Sequence, residues 1–598
     1  MEKIKKIKWW PIPLILAGII LSNLYLQWCQ NNLSIDLMLK FAFSWHTEKF
    51  LLGSLVLLVF YLFLSSLSGS LKVGGTLYSV SITLLGYATY LKMLYRQEPI
   101  YPDDLKMITQ FNLIREMIGI GPFILALFAI ICVLSLVLWQ IYRSLKFPKR
   151  KQILRVSLLI LSSLVLVYIS DFNNENNLLR RGYNRTALWI PYSQKMNYYN
   201  TGFIGGFLFN LRVDAMEKPE NYSKEMIEKV VGKYQVNEQI QETETPNIIY
   251  IMNESFSNPQ HLNGVEVQGE PLADYYEKAQ QTYSGKMLSQ NYGGGTANIE
   301  FEALTSFSME LFNPQMTTPY TMLVPKLDQI PSIVSLVENR GYQTTAIHPY
   351  DTSMYKRKDV YDVFGFDQFL DQDTMDYTET IENNPYISDA AAYQQILDII
   401  DSGNQPQFVH LVTMQTHMPY GEKYEHLEYG VSGAVNQNTL KNYLQDIAYG
   451  SRALKDFLEA LDQLPQRTLV VFWGDHLPGI YPEEIQAENT EVALRNTEFL
   501  MWDSQEDWAF EENQVTSPFY FTANLFERSQ LALTPFHQLL LELEKELPAF
   551  EKGMYLEKEW SETLPDSTKL QELYQDYQLI QFDIVQGNQY SLASHFFE

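Results

Sequence analysis

Polar side chains of the types that bind metals follow four short apolar runs of the chain. The runs are residues 247–252, 343–347, 408–414 and 468–473, and the side chains that follow them are Glu254, His348, His417, Asp475 and His476. The β-branched residues of these runs predict buried strands. Parallel strands end at one shared edge of a sheet, where ligands bind. Glu254, Asp475 and His476 offer two carboxylates and one imidazole, which predict a divalent metal site that suits Mn²⁺, Mg²⁺ or Zn²⁺.

A glycine-rich loop supplies a candidate nucleophile. Three glycines, 293–295, precede Thr296, and a helix-forming run follows. A helix N-terminus favours a phosphate oxyanion, and a metal that binds the threonine oxygen would lower the pKa of the hydroxyl. The alternative is that Thr296 only caps the helix.

Two further residues are candidates for contact with a phosphorylated substrate. Arg357 lies in a basic cluster, 356–358, and can bind phosphate oxygens. His417 can bind the same group or protonate a leaving oxygen. The competing interpretation of Arg357 is a solvated charge on the surface.

These residues lie in a predicted α/β domain, residues 246–598. Apolar strands that alternate with helices predict a mainly parallel sheet buried on both faces. The predicted helices span 303–312, 330–341, 390–401 and 440–461. We interpret the tail, roughly 515–598, as closing helices and a last strand or hairpin.

The first 170 residues have a different composition and predict a membrane domain. Apolar stretches at 9–28, 51–67, 74–95, 120–142 and 154–170 approach the roughly 20 residues that cross a bilayer. The chain carries 44 Lys+Arg and 70 Asp+Glu, and this acidic balance argues against nucleic-acid binding. Both cysteines, Cys29 and Cys132, lie in the apolar part, which excludes a disulfide-stapled outer domain.

Loop charges predict the orientation of five transmembrane helices. The N-terminus and the second and fourth loops hold 11 Lys and Arg residues, whereas the first and third loops hold 5. The positive-inside rule therefore places the N-terminus in the cytoplasm and everything after residue 170 outside a bacterial plasma membrane. Residues 171–245, rich in Trp, Tyr and Phe, are expected to form a juxtamembrane linker of short helices.

Four motifs resemble the lipoteichoic acid synthase family, membrane phosphoglycerol transferases of the alkaline-phosphatase/sulfatase superfamily. The motifs are IMNESFS (251–257), NYGGGTANIEFEALT (291–305), TMQTHMPY (413–420) and FWGDHLPG (472–479). The resemblance implies an extracellular sulfatase-like catalytic domain in which Mn²⁺ is bound by Glu254, Thr296, Asp475 and His476, with Thr296 as the nucleophile. It also implies substrate contacts from Arg357 and His417. Tyr355 replaces a tryptophan that is usual two residues before the arginine, and His348 matches a further pocket position.

The resemblance implies a two-step reaction at the cell membrane. Thr296 attacks phosphatidylglycerol, releases diacylglycerol, and passes the phosphoglycerol group to a growing polyglycerolphosphate chain, as in cell-wall biogenesis of Gram-positive bacteria. The alternative acceptors are a cell-wall polysaccharide and a glycolipid primer.

Other classes fit the sequence less well. A sulfatase needs a Cys/Ser-x-Pro-x-Arg frame, which is missing, and a two-metal phosphatase needs a second ligand set. Phosphoethanolamine transferases usually carry disulfides in the outer domain. An inactive membrane scaffold with the same fold would not need the complete set of nucleophile and ligands.

Overall fold

The computed structural model describes residues 11–96, 99–102, 104–105, 120–174, 176–185, 194–211, 214–234, 245–314, 316–352, 354–433 and 435–598. The chain divides into two compact units, Met1–Val213 and Asp214–Glu598. The first described part of the predicted linker, 171–211, belongs to the first unit, and residues 214–234 belong to the second. The three-part division of the sequence stays a prediction.

Helices are the secondary structure of the first unit in its described residues, and short turns connect them. Its helices are Pro11–Gln30, Ile35–Lys40, Thr47–Ser68, Leu71–Arg96, Ile120–Ser144, Lys149–Ser170, Leu178–Asn184 and Gln194–Phe209, with a π-helical turn at Phe41–Trp45. Each of the five apolar stretches coincides with one long helix. Residues 9 and 10 of the first stretch, and several of the loop lysines and arginines, lie outside the described residues.

Several of these helices present apolar side chains outward. Leu134, Leu138 and Leu164 are 56%, 66% and 63% exposed, a pattern expected where the surrounding solvent is lipid. Among the described residues, three helices are long and apolar enough to cross a membrane, at residues 12–30, 47–68 and 149–170. The number of crossings and their direction stay predictions.

The second unit is built on an eight-stranded sheet. Its strands are β1 (Asn247–Asn253), β3 (Tyr283–Leu288), β4 (Gln343–His348), β5 (Gln368–Asp371), β6 (Gln407–Val412), β8 (Thr468–Gly474), β9 (Asn496–Asp503) and β10 (Val515–Thr516). The spatial order is β10-β3-β9-β8-β1-β6-β4-β5. The sheet is mixed: β9 runs antiparallel to both of its neighbours, and the other five pairs are parallel. Smaller sheets pair β2 (Val265–Gln268) with β7 (Gly430–Gly433), and β11 (Ala549–Glu551), β12 (Met554–Leu556) and β13 (Trp560–Ser561).

Both faces of the sheet are buried, as the continuous apolar strands predict. Ile248 and Tyr250 of β1 pack into one hydrophobic core, whereas Ile249 and Ile251 pack into another. The helices of this unit are Lys224–Lys233, Ala273–Ala279, Thr296–Thr305, Pro319–Met322, Ile333–Asn339, Arg357–Phe364, Asp389–Ser402, Gln437–Leu461, Glu483–Glu488, Phe521–Arg528, Pro535–Glu546 and Thr568–Val585.

One element prediction is wrong. The helix expected at 303–312 is Thr296–Thr305, because Ser306 adopts a left-handed conformation (φ 57°) and donates its N–H to the Glu302 carbonyl, which ends the helix. The tail, 515–598, contains the expected closing helices and the expected hairpin, which pairs β11 with β12, and its last long element is the helix Thr568–Val585.

Candidate active site

The pairing of β1 with β8 places two acidic residues side by side. The parallel register ends at Asn253 opposite Gly474, so Glu254 and Asp475 are the next residues at the same edge of the sheet. Gly474 is required there, because a Cβ at this position would lie 1.8 Å from the Phe256 carbonyl oxygen. The sequence prediction that the carboxyl ends of these strands carry the site residues therefore agrees with the geometry.

Glu254, Asp475 and His476 form one buried cluster. Each offers a ligand atom, and these atoms all lie within 4.8 Å of one another. Nε2 of His476 lies 3.3 Å from Asp475 Oδ2 and 3.9 Å from Glu254 Oε1. All three residues are at most 5% exposed.

The hydrogen bonds of the cluster direct its free electron pairs inward. Nδ1 of His476 lies 2.9 Å from the Leu477 carbonyl oxygen, so it carries the ring proton and leaves a lone pair on Nε2. Oδ1 of Asp475 accepts the backbone N–H groups of Ser255 and His476, at 2.7 and 2.8 Å. Asp475 Oδ2 is buried and accepts no hydrogen bond from the residues described.

The cluster holds excess negative charge. Burial and the neighbouring charge of Glu254 raise the pKa of Asp475 to about 6. Burial alone would lower the pKa of His476, but the charges of Asp475 and Glu254 outweigh it and raise that pKa. An orphaned carboxylate oxygen and an imidazole lone pair that face each other across 3.3 Å fit a bound divalent cation.

Thr296 lies beside this cluster at the start of the helix Thr296–Thr305, which we call the threonine helix. Its Oγ1 is 3.4 Å from Nε2 of His476. The N-cap residue is Gly295, and no described side chain caps this helix end. The hydroxyl of Thr296 therefore does not act as the cap, and the alternative interpretation of this residue is wrong.

The loop before Thr296 depends on glycine. Gly295 has φ 97°, and a Cβ there would lie 2.0 Å from the Asn291 side-chain nitrogen. Gly293 donates its N–H to the Leu477 carbonyl, 3.0 Å away, and so ties the loop to the segment that carries His476. The loop thereby brings the nucleophile candidate to the carboxylate cluster.

Arg357 is not a solvated surface charge. It is 1% exposed, and its Nη2 lies 2.6 Å from Oε2 of Glu300, which is fully buried. Its Nε and Nη1 are buried and have no hydrogen-bond partner among the described residues. These two nitrogens carry three N–H bonds, which suit an anion. Tyr355 has φ 57°, and the centroid of its ring is 5.6 Å from the guanidinium carbon.

Glu300 connects Arg357 to the threonine helix. It lies one helical turn after Thr296, and its other carboxylate oxygen accepts the Tyr361 hydroxyl at 2.5 Å and lies 3.2 Å from Nε2 of His410. Burial opposes its charge, but Arg357 and these hydrogen bonds outweigh burial and lower the pKa of Glu300 to about 2. The i, i+4 spacing from Thr296 to Glu300 and from Arg357 to Tyr361 is the sequence signal that could have found this network.

The two remaining predicted histidines differ in their surroundings. His348 is buried; its Nδ1 lies 3.0 Å from the Val412 carbonyl oxygen, and Nε2 has no partner among the described residues. Burial and the charge of Arg357 lower its pKa to about 3. His417 is half-buried, and its Nδ1 lies 2.8 Å from the Met418 carbonyl oxygen and 3.1 Å from the Tyr386 hydroxyl.

A buried ion pair supports the backbone that carries His417. Nζ of Lys423 donates to the carbonyl oxygens of His417 and Gln415, both at 2.9 Å, and pairs with Asp446 at 2.8 Å. Lys423 and Asp446 are almost fully buried. Sequence reasoning did not single out this pair, because its members lie on a loop and a helix rather than after a strand.

A family model and a solved structure show which proteins this chain is related to. A family model described as Sulfatase matches residues 246–530. The solved structure of the Streptococcus pyogenes phosphoglycerol transferase GacH, in complex with sn-glycerol-1-phosphate, is 30% identical, and the match covers 64% of this chain and 99% of that one with a TM-score of 0.57.

Two curated relatives add to this. A putative cyclic β-1,2-glucan modification protein of Rhizobium meliloti (strain 1021) is 25% identical over 533 residues, which cover 84% of this chain and 81% of that protein. Lipoteichoic acid synthase 1 of Bacillus subtilis (strain 168) is 25% identical over 364 residues, 58% of this chain and 54% of the synthase.

Fold and site together define an alkaline-phosphatase-like α/β domain with a candidate metal and threonine centre. The chain belongs to the phosphoglycerol transferase family of the alkaline-phosphatase/sulfatase superfamily. With its apolar helices near the N-terminus, it is a membrane protein with a C-terminal catalytic domain.

The buried cluster predicts one divalent cation per chain that depends on Asp475 and His476. Replacement of either residue by alanine removes a donor atom, so the metal content of the full-length protein, dialysed against Mn²⁺ and measured by elemental analysis, should fall well below that of the native chain. Asp401→Ala, at an exposed acid, is the matched control and should keep full occupancy. Full occupancy in both cluster variants would show that the cation binds elsewhere.

Removal of the charge of Glu300 should greatly lower the free energy of unfolding. In Glu300→Gln the guanidinium of Arg357 stays buried without a counter-charge, which typically costs about 3–5 kcal/mol. Denaturant unfolding of the detergent-solubilised chain, followed by tryptophan fluorescence, should therefore show a lower midpoint. The double variant Glu300→Gln/Arg357→Met should recover part of that loss; a single variant as stable as the native chain would contradict the pairing.

Proposed function

We propose that the protein transfers glycerol phosphate from phosphatidylglycerol to an acceptor hydroxyl through a phosphoglycerol-threonine intermediate on Thr296, with release of diacylglycerol. The observation that carries this proposal is the position of the Thr296 hydroxyl. It lies 3.4 Å from Nε2 of His476 at the first turn of a helix, and it is not used as the cap of that helix. A hydroxyl at this place is free to attack a phosphorus atom.

Glu254, Thr296, Asp475 and His476 would hold the metal, which we propose to be Mn²⁺, with Mg²⁺ or Zn²⁺ as the alternatives. Two carboxylates, a hydroxyl and an imidazole form a mixed oxygen and nitrogen set that these ions accept. When bound, the ion would favour the alkoxide form of threonine and offset negative charge on the phosphoryl group.

We assign the residues around the cluster to different chemical groups of the substrate. Nε and Nη1 of Arg357 have no described partner and suit phosphate oxygens. His348 carries its proton on Nδ1, towards the Val412 carbonyl oxygen, so its Nε2 accepts a hydrogen bond. A glycerol hydroxyl, rather than a phosphate oxygen, suits that nitrogen. The ring of Tyr355 lies beside the Arg357 guanidinium, and we assign it to the same substrate site.

The transfer takes two steps, and each step breaks one phosphodiester bond and forms another. The Thr296 hydroxyl loses its proton to bulk water, its oxygen forms a bond to phosphorus, and the bond from phosphorus to the diacylglycerol oxygen breaks. That oxygen takes a proton, for which we assign His417 as the donor, through Nε2, because its Nδ1 is engaged by Met418 and Tyr386. In the second step the acceptor hydroxyl gives its proton to the same histidine and its oxygen forms a bond to phosphorus. The bond from phosphorus to Thr296 breaks, and the threonine oxygen takes up a proton from bulk water.

The lipid donor fits the membrane setting. Five helices are proposed to cross a bacterial plasma membrane with the N-terminus inside, which would place the catalytic unit outside the cell, where nucleotide donors are scarce. Because one phosphodiester is broken and one is made, phosphatidylglycerol requires no further energy source. The helices keep the enzyme at the surface that contains its donor.

Two acceptors are candidates. The first is a growing polyglycerolphosphate chain, as in lipoteichoic acid synthesis. The second is a glycan, either a cell-wall polysaccharide or a glycolipid. One observation favours the glycan. The putative cyclic β-1,2-glucan modification protein aligns over 84% of this chain, whereas lipoteichoic acid synthase 1 aligns over 58%.

Thr296→Ala should abolish transfer while the protein stays folded. Loss of a covalent nucleophile lowers turnover by on the order of 10³-fold or more, measured as diacylglycerol release from phosphatidylglycerol vesicles. Thr296→Ser keeps a hydroxyl at the same position and should retain measurable release. A Thr296→Ala variant with a tenth of native turnover would defeat the assignment.

The donor is tested with the full-length protein in vesicles. Radiolabelled phosphatidylglycerol and a soluble nucleotide-linked glycerol phosphate are offered in parallel, and transfer of label to acceptor is measured. We expect transfer from the lipid, lost on chelation and restored by added Mn²⁺. Transfer from the nucleotide donor alone would show that the donor is not a lipid.

A further inference from the structure

A polar cleft lies at the sheet edge opposite the active site. It has a volume of about 450 Å³, within the roughly 300–1,000 Å³ of small-molecule sites. Three strands begin there, and the loop after the helix Asp389–Ser402 completes the wall. The cleft is lined by Gln343, Thr345, Gln368, Ile399, Ser402, Gly403, Asn404, Gln405 and Gln407.

The lining of this cleft is almost entirely uncharged and hydrogen-bonding. It combines amides from glutamine and asparagine with hydroxyls from threonine and serine, and Ile399 is its one large apolar side chain; none of the described lining residues carries a charge. Each amide both donates and accepts, which matches hydroxyl groups that do the same. A phosphate would find no cation there, and an acyl chain would find too little apolar surface.

The floor of the cleft is held in place by its own contacts. Thr345 and Gln407 are 1% and 2% exposed. Nε2 of Gln407 donates to the Gln405 carbonyl oxygen at 2.9 Å, so this amide is fixed and not free to rotate. Gly403 lets the loop approach, because a Cβ there would lie 2.7 Å from that nitrogen. A pre-formed floor lowers the cost of ordering side chains when a ligand binds.

We propose that this cleft binds a neutral oligosaccharide. A sugar offers closely spaced hydroxyls and no charge, and this is the ligand chemistry that the amide and hydroxyl lining recognises. The site is separate from the centre at Thr296: β4 begins at Gln343 in the cleft and ends at His348 at the opposite edge, five residues or roughly 17 Å away.

The separation gives the cleft a specific use. A bound sugar unit there lies too far from Thr296 to react, but a longer glycan can be held at the cleft while another of its units reaches the active site. This role as a second hold on a glycan acceptor rests on the proposed function. The binding of neutral sugar does not.

The binding test uses the full-length protein in detergent and cyclic β-1,2-glucan, a neutral polymer of glucose, in isothermal titration calorimetry. Gln368→Ala/Gln405→Ala removes two exposed amides from the cleft wall and should weaken binding by about tenfold or more. Gln372→Ala, an exposed amide outside the cleft, is the matched control and should bind like the native chain. Thermal unfolding of each variant checks that the fold is unchanged.

Further measurements separate this proposal from the proposed function. sn-Glycerol phosphate, which we assign to the opposite edge, should not compete with the glucan, and diacylglycerol release should be unchanged in the double variant. A native chain that does not bind the glucan, an unaffected double variant, or competition by glycerol phosphate would each overturn the cleft assignment. Absence of diacylglycerol release from the native chain would instead refute the transferase reaction and leave the glucan measurement valid.

Discussion

Two carboxylates that the sheet buries side by side govern the arrangement of this site. The register of β1 with β8 leaves Glu254 and Asp475 adjacent and at most 5% exposed, and buried like charges are costly unless they are compensated. Backbone N–H groups satisfy Asp475 Oδ1, while the remaining electron pairs of the cluster converge on one point. A divalent cation is the compensation that this geometry accepts, and the glycine loop delivers Thr296 to the same point.

The second constraint is the handling of anions by an acidic chain. Residues 171–598 carry a net charge of −36, so the overall field of the chain beyond residue 170 repels a phospholipid headgroup. Arg357 provides a local positive charge that offsets this repulsion. Glu300 holds its guanidinium inside the protein, and its Nε and Nη1 have no hydrogen-bond partner among the described residues. Because Glu300 belongs to the threonine helix, the proposed nucleophile Thr296 and the proposed phosphate ligand Arg357 are fixed relative to each other through one side chain.

The sequence predicts most of the catalytic edge, because parallel strands of β-branched residues must end together. The four strands that precede Glu254, His348, His417 and Asp475 were all predicted in place. Two other features depend on tertiary contacts that no local pattern encodes: the antiparallel β9 and the left-handed Ser306 that ends the threonine helix. The pairing of Arg357 with Glu300 is signalled only by the i, i+4 spacings on the two helices that carry them. The polar cleft is assembled from three separate segments, 343–345, 368 and 399–407, and no motif marks it.

The proposed transfer depends on a covalent bond between Thr296 and glycerol phosphate. The direct measurement is peptide mass spectrometry of the full-length protein, incubated with phosphatidylglycerol and Mn²⁺ and quenched in acid before an acceptor is added. We expect a mass increase of one phosphoglycerol group on the peptide that contains Thr296, with fragmentation that places it on that residue. Turnover of the lipid with no modified peptide, or a modification on another residue, would contradict it.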